Sequence, residues 1–477
     1  MLVAVLGMTS CMVGPKYQRP TAPAPPAFKE APPAGWKEAQ PNDGVIRGKW
    51  WEIYGDPQLN ALEEQISVSN QNIVAAEAQF RAARDAVRIA KSALYPTVSA
   101  GASVTNNRSS TTTVNTFGSP TRNDWQLSVV DFSYQADVWG SIRRSVQASA
   151  ETAQATAAQL ENARLSMQAE LALDYFQLHG LDSSVKVLED TVKSYEENLT
   201  LTKNRFAGGI ASGADVAQAE TQLDTVRAQL TDLGVSRAQF EHAIAVLTGR
   251  APSEVNVAFQ ELTSPPPVIP VAMPSALLER RPDVANAERL MAAQNEQIGI
   301  AKAAFYPSIG ISASAGLQGS NLVNLFSWPA RFWSVGPSIS QTFYDAGRRR
   351  AVLKQQQDLF DATVADYRQT VLTAFQQVED ALSALRILEK ENAEVAQAVD
   401  AAQRSLDISN AQYKAGVVSY IQVITAQQAV LQNQRSAVTV LTQRMTASVM
   451  LIEALGGGWD ASQLPTVDSL KSASLNP

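Results

Sequence analysis

Val364-Ala-Asp-Tyr-Arg-Gln-Thr-Val-Leu-Thr-Ala-Phe-Gln-Gln-Val-Glu-Asp-Ala-Leu-Ser-Ala-Leu-Arg-Ile-Leu388 repeats apolar or small side chains at Val364, Tyr367, Val371, Ala374, Val378, Ala381, Leu385 and Leu388. The steps alternate between three and four, the spacing of a coiled-coil seam. The series runs on through Asn392, Val395, Val399, Ala402, Leu406, Ser409 and Tyr413 without a proline. An upstream segment keeps the same register, with Leu160, Met167, Leu171, Leu178, Leu181, Val185, Leu188, Val192, Tyr195, Leu199 and Phe206, interrupted by Arg164 and Asp174. Gly180 is the only glycine inside either stretch. A continuous helix from Gly140 to Gly208, or from Gly347 to Gly416, would be roughly 100 Å long at about 1.5 Å per residue. A globular domain has no use for such a rod. Abundant alanine favours helix and lets neighbouring helices approach closely. Gly208-Gly209 and Gly416 then end the rods as C-terminal caps do, and a returning helix follows each. The pattern predicts helical hairpins with remote tips.

The chain is written twice. Ala90-Lys-Ser-Ala-Leu-Tyr-Pro-Thr-Val98 matches Ala301-Lys-Ala-Ala-Phe-Tyr-Pro-Ser-Ile309, and Gly140-Ser-Ile-Arg143 matches Gly347-Arg-Arg-Arg350. Phe206, Gly209, Ser212, Val216 and Ala219 match Tyr413, Gly416, Ser419, Val423 and Ala426, and Gly249 matches Gly456. Matched blocks in one order imply tandem duplication. The first copy carries extra residues in the hairpin, which the reading places in the loop Asn106–Asn123, rich in Ser, Thr, Asn and Gly. Each unit reads helix, β-hairpin, long helix, turn, returning helix. The expected bounds are 57–250 for the first repeat, with its hairpin at 96–139 and long helix at 140–207. The second repeat is expected at 278–456, with its hairpin at 307–346 and long helix at 347–415. A Pro-rich linker at 251–277 separates them, and 457–477 forms a tail. An arm over 11–56 is also Pro-rich and is expected to be extended rather than packed into a core.

Strict alternation follows each Tyr-Pro. Val98, Ala100, Ala102 and Val104 oppose Thr97, Ser99, Gly101, Ser103 and Thr105. Ile309, Ile311, Ala313, Ala315 and Leu317 oppose Ser308, Gly310, Ser312, Ser314 and Gly316. Return strands are expected at Trp125–Trp139 and Trp333–Tyr344, the former shifting phase near Val129-Val130 as at a bulge. Strands of this length with aromatic ends suit a membrane barrel, though the strands alone equally suit a soluble sheet packed on one side.

Composition narrows the class. The 477 residues are 45% hydrophobic and 18% charged, with a net charge of −7, so the chain folds and is a poor nucleic-acid binder. No run approaches the ~18 apolar residues of a transmembrane helix, so any spanning must use closed β-strands. His179 and His242 sit in helical patterns without neighbouring ligands, and no phosphate loop, nucleophile elbow or paired-carboxylate constellation stands out. No cofactor, metal or enzyme activity is expected. The single cysteine, Cys11, follows a short apolar run ending in Thr9-Ser10. That resembles a lipobox behind a signal peptide over 1–10, making Cys11 the site of a covalent lipid. Met8 stands where leucine is usual, and no Lys or Arg precedes the apolar run, so the natural start is expected upstream of Met1.

Four strands cannot close a barrel, and lipid does not tolerate an open edge. The barrel must then be shared. Two chains give eight strands with a filled interior, whereas three give twelve and a wider lumen. Small polar inner faces favour the trimer.

These residues resemble the TolC-like outer-membrane efflux family, in its NodT-type lipoprotein branch. The resemblance covers nearly the whole chain and rests on three blocks: Cys11-Met-Val-Gly-Pro-Lys-Tyr-Gln-Arg-Pro20, Trp50-Trp-Glu-Ile-Tyr-Gly-Asp-Pro-Gln-Leu59, and Leu278-Glu-Arg-Arg-Pro-Asp-Val284 with Glu288. It implies a mostly α chain with a small β part, trimerising into a twelve-stranded outer-membrane barrel continued by a long periplasmic α-helical barrel. It also implies a periplasmic adaptor, an inner-membrane pump of the resistance-nodulation-division class, and passive exit of small molecules without chemistry. The implied gate and adaptor contact comprises Gly208, Gly209, Ser212 and Asp215 at the first tip and Gly416, Ser419, Gln422 and Thr425 at the second. In the family's namesake two acidic residues ring the second tip; here the matching positions are Gln422 and Thr425, while Asp215 occupies the first-repeat equivalent of Gln422. A lone acid at a helix start otherwise reads as a partner of the helix dipole. Within the fold the alternative is a type I protein-secretion duct. A coiled-coil scaffold without a membrane role would explain the heptads but not the lipobox-like start or the strands.

Overall fold

The computed structural model describes residues 12–22, 25–31, 33, 48–108, 110, 112, 121–270 and 280–472. Cys11 lies outside them. Helix α1 (Pro57–Ser69) starts where the Asp56 carboxylate accepts the N–H groups of Gln58 and Leu59, with proline at the first position. Asn70 then leaves helical geometry, with ψ 123°, and its side-chain oxygen caps α2 (Gln71–Ser92) through Asn72 and Ile73 N–H. The single helix expected to open the first repeat is therefore two, because an asparagine can both end one helix and cap the next.

Strands β1 (Thr97–Arg108) and β2 (Thr121–Ala136) form the first hairpin, followed by α3 (Ser141–Ala207) and α4 (Gly213–Leu247). The second repeat supplies α5 (Pro282–Ala303), β3 (Ser308–Gly319), the single turn α6 (Leu322–Leu325), β4 (Arg331–Ser340), α7 (Arg348–Lys414) and α8 (Tyr420–Ala454). A short α9 (Val467–Ser472) packs on α2 and α3. Both rods, α3 and α7, are 67 residues long, about 100 Å. Each pairs with its returning helix, α3 with α4 and α7 with α8, and α3 also packs on α5 and α8.

The main core lies at mid-length. Tyr367, Val371, Ala374, Val378, Ala381 and Leu385 of the α7 seam join Leu171, Tyr175 and Leu178 of α3, Leu59 and Ile66 of α1, and Val449, Leu451 and Ile452 of α8. Farther along, Ala402, Leu406 and Tyr413 form a second cluster with Tyr420, Val423 and Ile424 near the tip. Phe206 departs from the expected seam and is 52% exposed. It sits at the tip, where the returning helix presents Gly213 and hence no side chain to cover it. Asp174, which interrupts the seam, is half-buried, and burial with Glu170 nearby pushes its pKa up to about 6. Gly180 is a close-packing site: a Cβ there would lie 2.3 Å from Thr442 Oγ1 of α8.

The arm corrects an expectation. Its described residues between 12 and 31 form neither helix nor strand, but several of them pack on the core. Tyr17 and Phe28 contact the core cluster, and Trp50 and Trp51, in a 3-10 turn (Trp50–Tyr54), are only 2% and 4% exposed. Tyr17 donates to Glu288 at 2.7 Å, Arg19 to the Tyr367 hydroxyl at 3.2 Å, and Glu379 accepts the N–H groups of Lys29 and Glu30. Burying the aromatic area outweighs the poor intrinsic order of a Pro-rich segment. The described part of the linker is strapped down similarly. Asp182, fully buried on α3, accepts from His179, Arg237 and the Gln260 N–H. Burial alone would raise the Asp182 pKa, but those hydrogen bonds outweigh it and hold the carboxyl below its usual range.

The four strands make one antiparallel sheet in the order β1-β2-β3-β4, so β2–β3 pairing joins the two repeats and leaves β1 and β4 as edges. The expected bulge is present: β2–β3 register shifts between Ser128 and Val130. The expected loop Asn106–Asn123 is shorter than read, because Asn106 pairs with Asn123 and the ladder continues to Arg108 and Thr121. The return strands also stop early. β2 ends at Ala136 because Asp137 turns away to accept Ile142 and Arg143 N–H and the Arg143 side chain. Asp345 repeats this after β4 with Gly347, Arg349 N–H and Arg349 Nε, leaving Phe343 and Tyr344 beyond the strand. The Arg349 guanidinium holds the Asp345 carboxyl below its usual range. Gly140 and Gly347, at φ +79° and +88°, precede the rods in left-handed geometry. No helix among the described residues is long and apolar enough to cross a membrane.

Candidate functional site

The two hairpin tips are built alike. Gly209 and Gly416 take φ of +73° and +78°. Gly209 N–H donates to Phe206 O and Ile210 N–H to Arg205 O; Gly416 N–H donates to Tyr413 O and Val417 N–H to Gln412 O. These are left-handed C-terminal closures that satisfy the last helical carbonyls. Gly208 stays at φ −79°, so only the second glycine of the pair needs its conformational freedom.

After the first tip Ser212 and Asp215 form a reciprocal cap. The Asp215 carboxylate accepts from Ser212 N–H and Ser212 Oγ at 2.9 Å each, and Asp215 N–H donates to Ser212 Oγ at 3.2 Å. The carboxylate is thus engaged at the positive end of α4. The second tip differs. Ser419 makes no side-chain cap. Gln422 and Thr425 are exposed, and Thr425 spends its hydroxyl on Ile421 O at 2.9 Å.

The fold brings the two tips together through a residue outside the candidate set, one that no spacing in the sequence marks. Arg205, in the last turn of α3, donates to Lys414 O at 3.1 Å and lies 4.7 Å over the Tyr413 ring. Its charge meets the negative end of α7. Tyr413 in turn packs 5.3 Å from Tyr420, whose hydroxyl pKa is pushed up to about 12, chiefly by burial. An arginine in a last helical turn is common, so nothing in the one-dimensional pattern marks Arg205 as a link between repeats. Around it Phe206, Ile210, Val417 and Ile421 are all more than half exposed, an apolar surface at the far end of both rods.

At the other end the sheet has two unlike faces. Val98–Phe132, Ala313–Val335, Ala315–Trp333 and Ile309–Ile339 pair on the apolar face. Ser99–Asp131, Ser103–Gln126, Ser133–Ser312 and Ser334–Ser314 pair on the polar one. Alternation alone puts Ser, Gly and Thr there; the ladder adds Asp124, Gln126 and Asp131. The bulge hid them by switching parity within β2. The apolar face lies open, with Trp333 79% and Ile339 72% exposed. No group of three or more His, Cys, Asp or Glu that could hold a metal ion occurs among the described residues.

A two-faced sheet set on long paired rods is an architecture that suits a membrane duct. The chain belongs to the outer membrane efflux protein family, whose sequence model matches residues 62–250 and 273–457. It is 29% identical over 468 residues to the toluene efflux pump outer membrane protein TtgC of Pseudomonas putida, covering 97% of this chain and 96% of that one. It is 28% identical over 468 residues to the outer membrane protein OprJ of Pseudomonas aeruginosa, covering 96% and 95%. Among solved structures, the outer-membrane channel OprN superposes with a TM-score of 0.86 at 28% identity, over 94% of this chain and all of that one. The Campylobacter jejuni CmeC outer membrane channel shares the fold, with a TM-score of 0.87 at 22% identity over 96% and 97%. The protein is the outer-membrane channel component of a tripartite efflux pump, a transport duct rather than an enzyme.

Proposed function

We propose that three copies share one barrel and export small toxic molecules passively. Cys11 carries the lipid anchor, and the hairpin tips receive a periplasmic adaptor linked to an inner-membrane pump of the resistance-nodulation-division class. The observation that carries this reading is the open sheet. Four strands with two free edges and an exposed apolar face cannot stand alone in lipid. Two copies would give a barrel filled by side chains, whereas three leave a lumen lined by the Ser, Gly, Gln and Asp face. The outer flank of α7 supports sharing, since Val352, Leu359, Ile387 and Ile408 are exposed on a heptad spacing away from the seam used by α8.

The arm supports the anchor. Met12, next to Cys11, lies on Gly140, and Val13 N–H donates to Trp139 O at 3.1 Å. Arg144 donates to Pro15 O at 3.3 Å and to Glu296 at 2.6 Å, both at the joint between sheet and rod. That joint would sit at the inner membrane-water boundary, the level at which an acyl chain on Cys11 enters lipid. Gly208, Gly209, Ser212, Asp215, Gly416, Ser419, Gln422 and Thr425 then form the gate and adaptor contact, about 100 Å from the barrel.

The test pairs assembly with export. Detergent-extracted protein is expected to show a three-chain mass, and co-expression with an adaptor and pump is expected to restore solvent or drug tolerance to an efflux-deficient host. A stable monomer retaining its full β content would overturn the shared barrel. Metabolic labelling with palmitate is expected to mark the wild type and not Cys11→Ser; equal labelling would remove the anchor from the proposal.

A further inference from the structure

Following the apolar face outward, away from the rods, leads to two arginines. On β4 the sequence of that face is Ile339, Pro337, Val335, Trp333 and then Arg331; on β1 it ends Val104, Asn106 and then Arg108. Val104 pairs with Trp125 and Arg331 with Leu317, which fixes both arginines on the parity of the lipid-facing side chains. Both are exposed and both lie at the hairpin end of the sheet. The apolar parity from Ile309 to Leu317 covers about 20 Å of membrane after a strand tilt of about 40°. The arginines therefore fall at the outer boundary, where a lipid-facing cation costs little, not at the midplane, where it would cost several-fold more.

Their position across the sheet is as telling as their depth. β1 and β4 are the two edges, running in opposite directions. In a barrel closed by neighbouring copies, β4 of one copy lies beside β1 of the next. Each seam then places Arg331 and Arg108 side by side at the same rim. Two like charges this close repel unless an anion lies between them. Guanidinium forks fit phosphate oxygens in bidentate fashion. Next to them, the Arg331 guanidinium stacks over the Trp328 ring, 3.2 Å from its centroid, and Phe326 and Trp328 are 70% and 74% exposed. A cationic fork beside exposed aromatics suits an amphiphile, with a phosphate headgroup above and acyl chains below.

We infer that each seam between copies binds the phosphate headgroup of an acyl-chain lipid of the outer leaflet, held between Arg108 of one copy and Arg331 of the next. This rests on the shared-barrel reading. The lipid would complete the rim at the one line where no covalent chain crosses between copies, and so brace the barrel.

The experiment uses purified, delipidated full-length protein in nanodiscs of phosphatidylcholine with added lipid A, with enzymatically dephosphorylated lipid A, or with inorganic phosphate alone. Bound lipid and oligomer mass are read together by native mass spectrometry, and trimer melting is followed in parallel. The expected result is up to three phosphorylated lipids per trimer and a raised melting temperature, with neither effect from dephosphorylated lipid or free phosphate. Arg108→Gln with Arg331→Gln is expected to weaken lipid retention at least tenfold while the trimer still forms in detergent; Arg→Lys at both positions should be intermediate. Equal retention by the wild type and the double Gln variant, equal retention of dephosphorylated lipid, or saturation by free phosphate alone would each overturn the lipid site and leave the barrel standing. A monomer under all conditions would overturn both.

Discussion

Glu63 shows how little of a residue's situation its neighbours in sequence disclose. In Leu62-Glu-Glu-Gln65 it looks like any surface acid on a helix. In the fold it is fully buried, both carboxylate oxygens lack hydrogen-bond partners, and burial pushes its pKa well above the usual carboxylate range. The folded state thus holds a proton that the unfolded chain releases near pH 4.3. Its contribution to stability is fully present below that pH and is lost as pH rises toward the folded pKa. Glu63→Leu is therefore expected to stabilise the protein at pH 8 by about 1–3 kcal/mol, the typical cost of an unsatisfied buried polar group. The gain should shrink toward pH 4. Chemical denaturation across that range measures it, and a gain independent of pH would show that the carboxyl is not the cause. Arg205 and Asp131 were illegible for related reasons: one is marked only by what another repeat brings to it, the other by a bulge that shifts its face.

Elements were more readable than residues, because a period survives where a contact does not. The three-four spacing from Val364 to Leu388 marked the α7 seam, and Tyr367, Val371, Val378 and Leu385 are buried along it. The strands followed from alternation. Their ends did not, because Asp137 and Asp345 stop them by capping the rods, an act that leaves no periodic trace. Gly180 is the element-scale exception that sequence flagged without explaining. It lets α3 approach α8 at Thr442, so Gly180→Ala should cost about 1–3 kcal/mol through overpacking. Thr442→Ala in the same chain should recover most of that loss, and a double-mutant cycle with no coupling would show that the two helices do not meet there as described. The tip glycines answer to a different constraint. A Cβ on Gly209 would meet nothing within 4 Å, so substitution there strains only the left-handed backbone. Gly209→Val or Gly416→Val is expected to lower export while the trimer survives, judged by drug tolerance and by detergent mass. Loss of the trimer would place these glycines in assembly instead of gating.

The whole chain exposes 26533 Å², against roughly 17,000 Å² for a compact monomer of its mass. The long rods and the open sheet contribute to that surplus, and in the proposed three-copy assembly any single tip residue becomes a ring around the entrance. That multiplication makes the tip charge worth testing. Gln422 and Thr425 are uncharged, while Asp215 is already engaged by Ser212 and the positive end of α4. A carboxylate held this way projects less field into a pore than a free one, and exposed charges farther off are screened within about 10 Å at 0.1 M salt. Gln422→Asp would add an unengaged carboxylate from every copy. Single-channel recordings in a salt gradient are expected to show a marked rise in cation over anion preference, strongest at low ionic strength. Asp215→Asn should change the preference less, since an asparagine can still cap the helix. If Asp215→Asn instead has the larger effect, the electrostatic constriction lies at the first tip, and Arg205, which links that tip to Lys414 O, becomes its counter-charge.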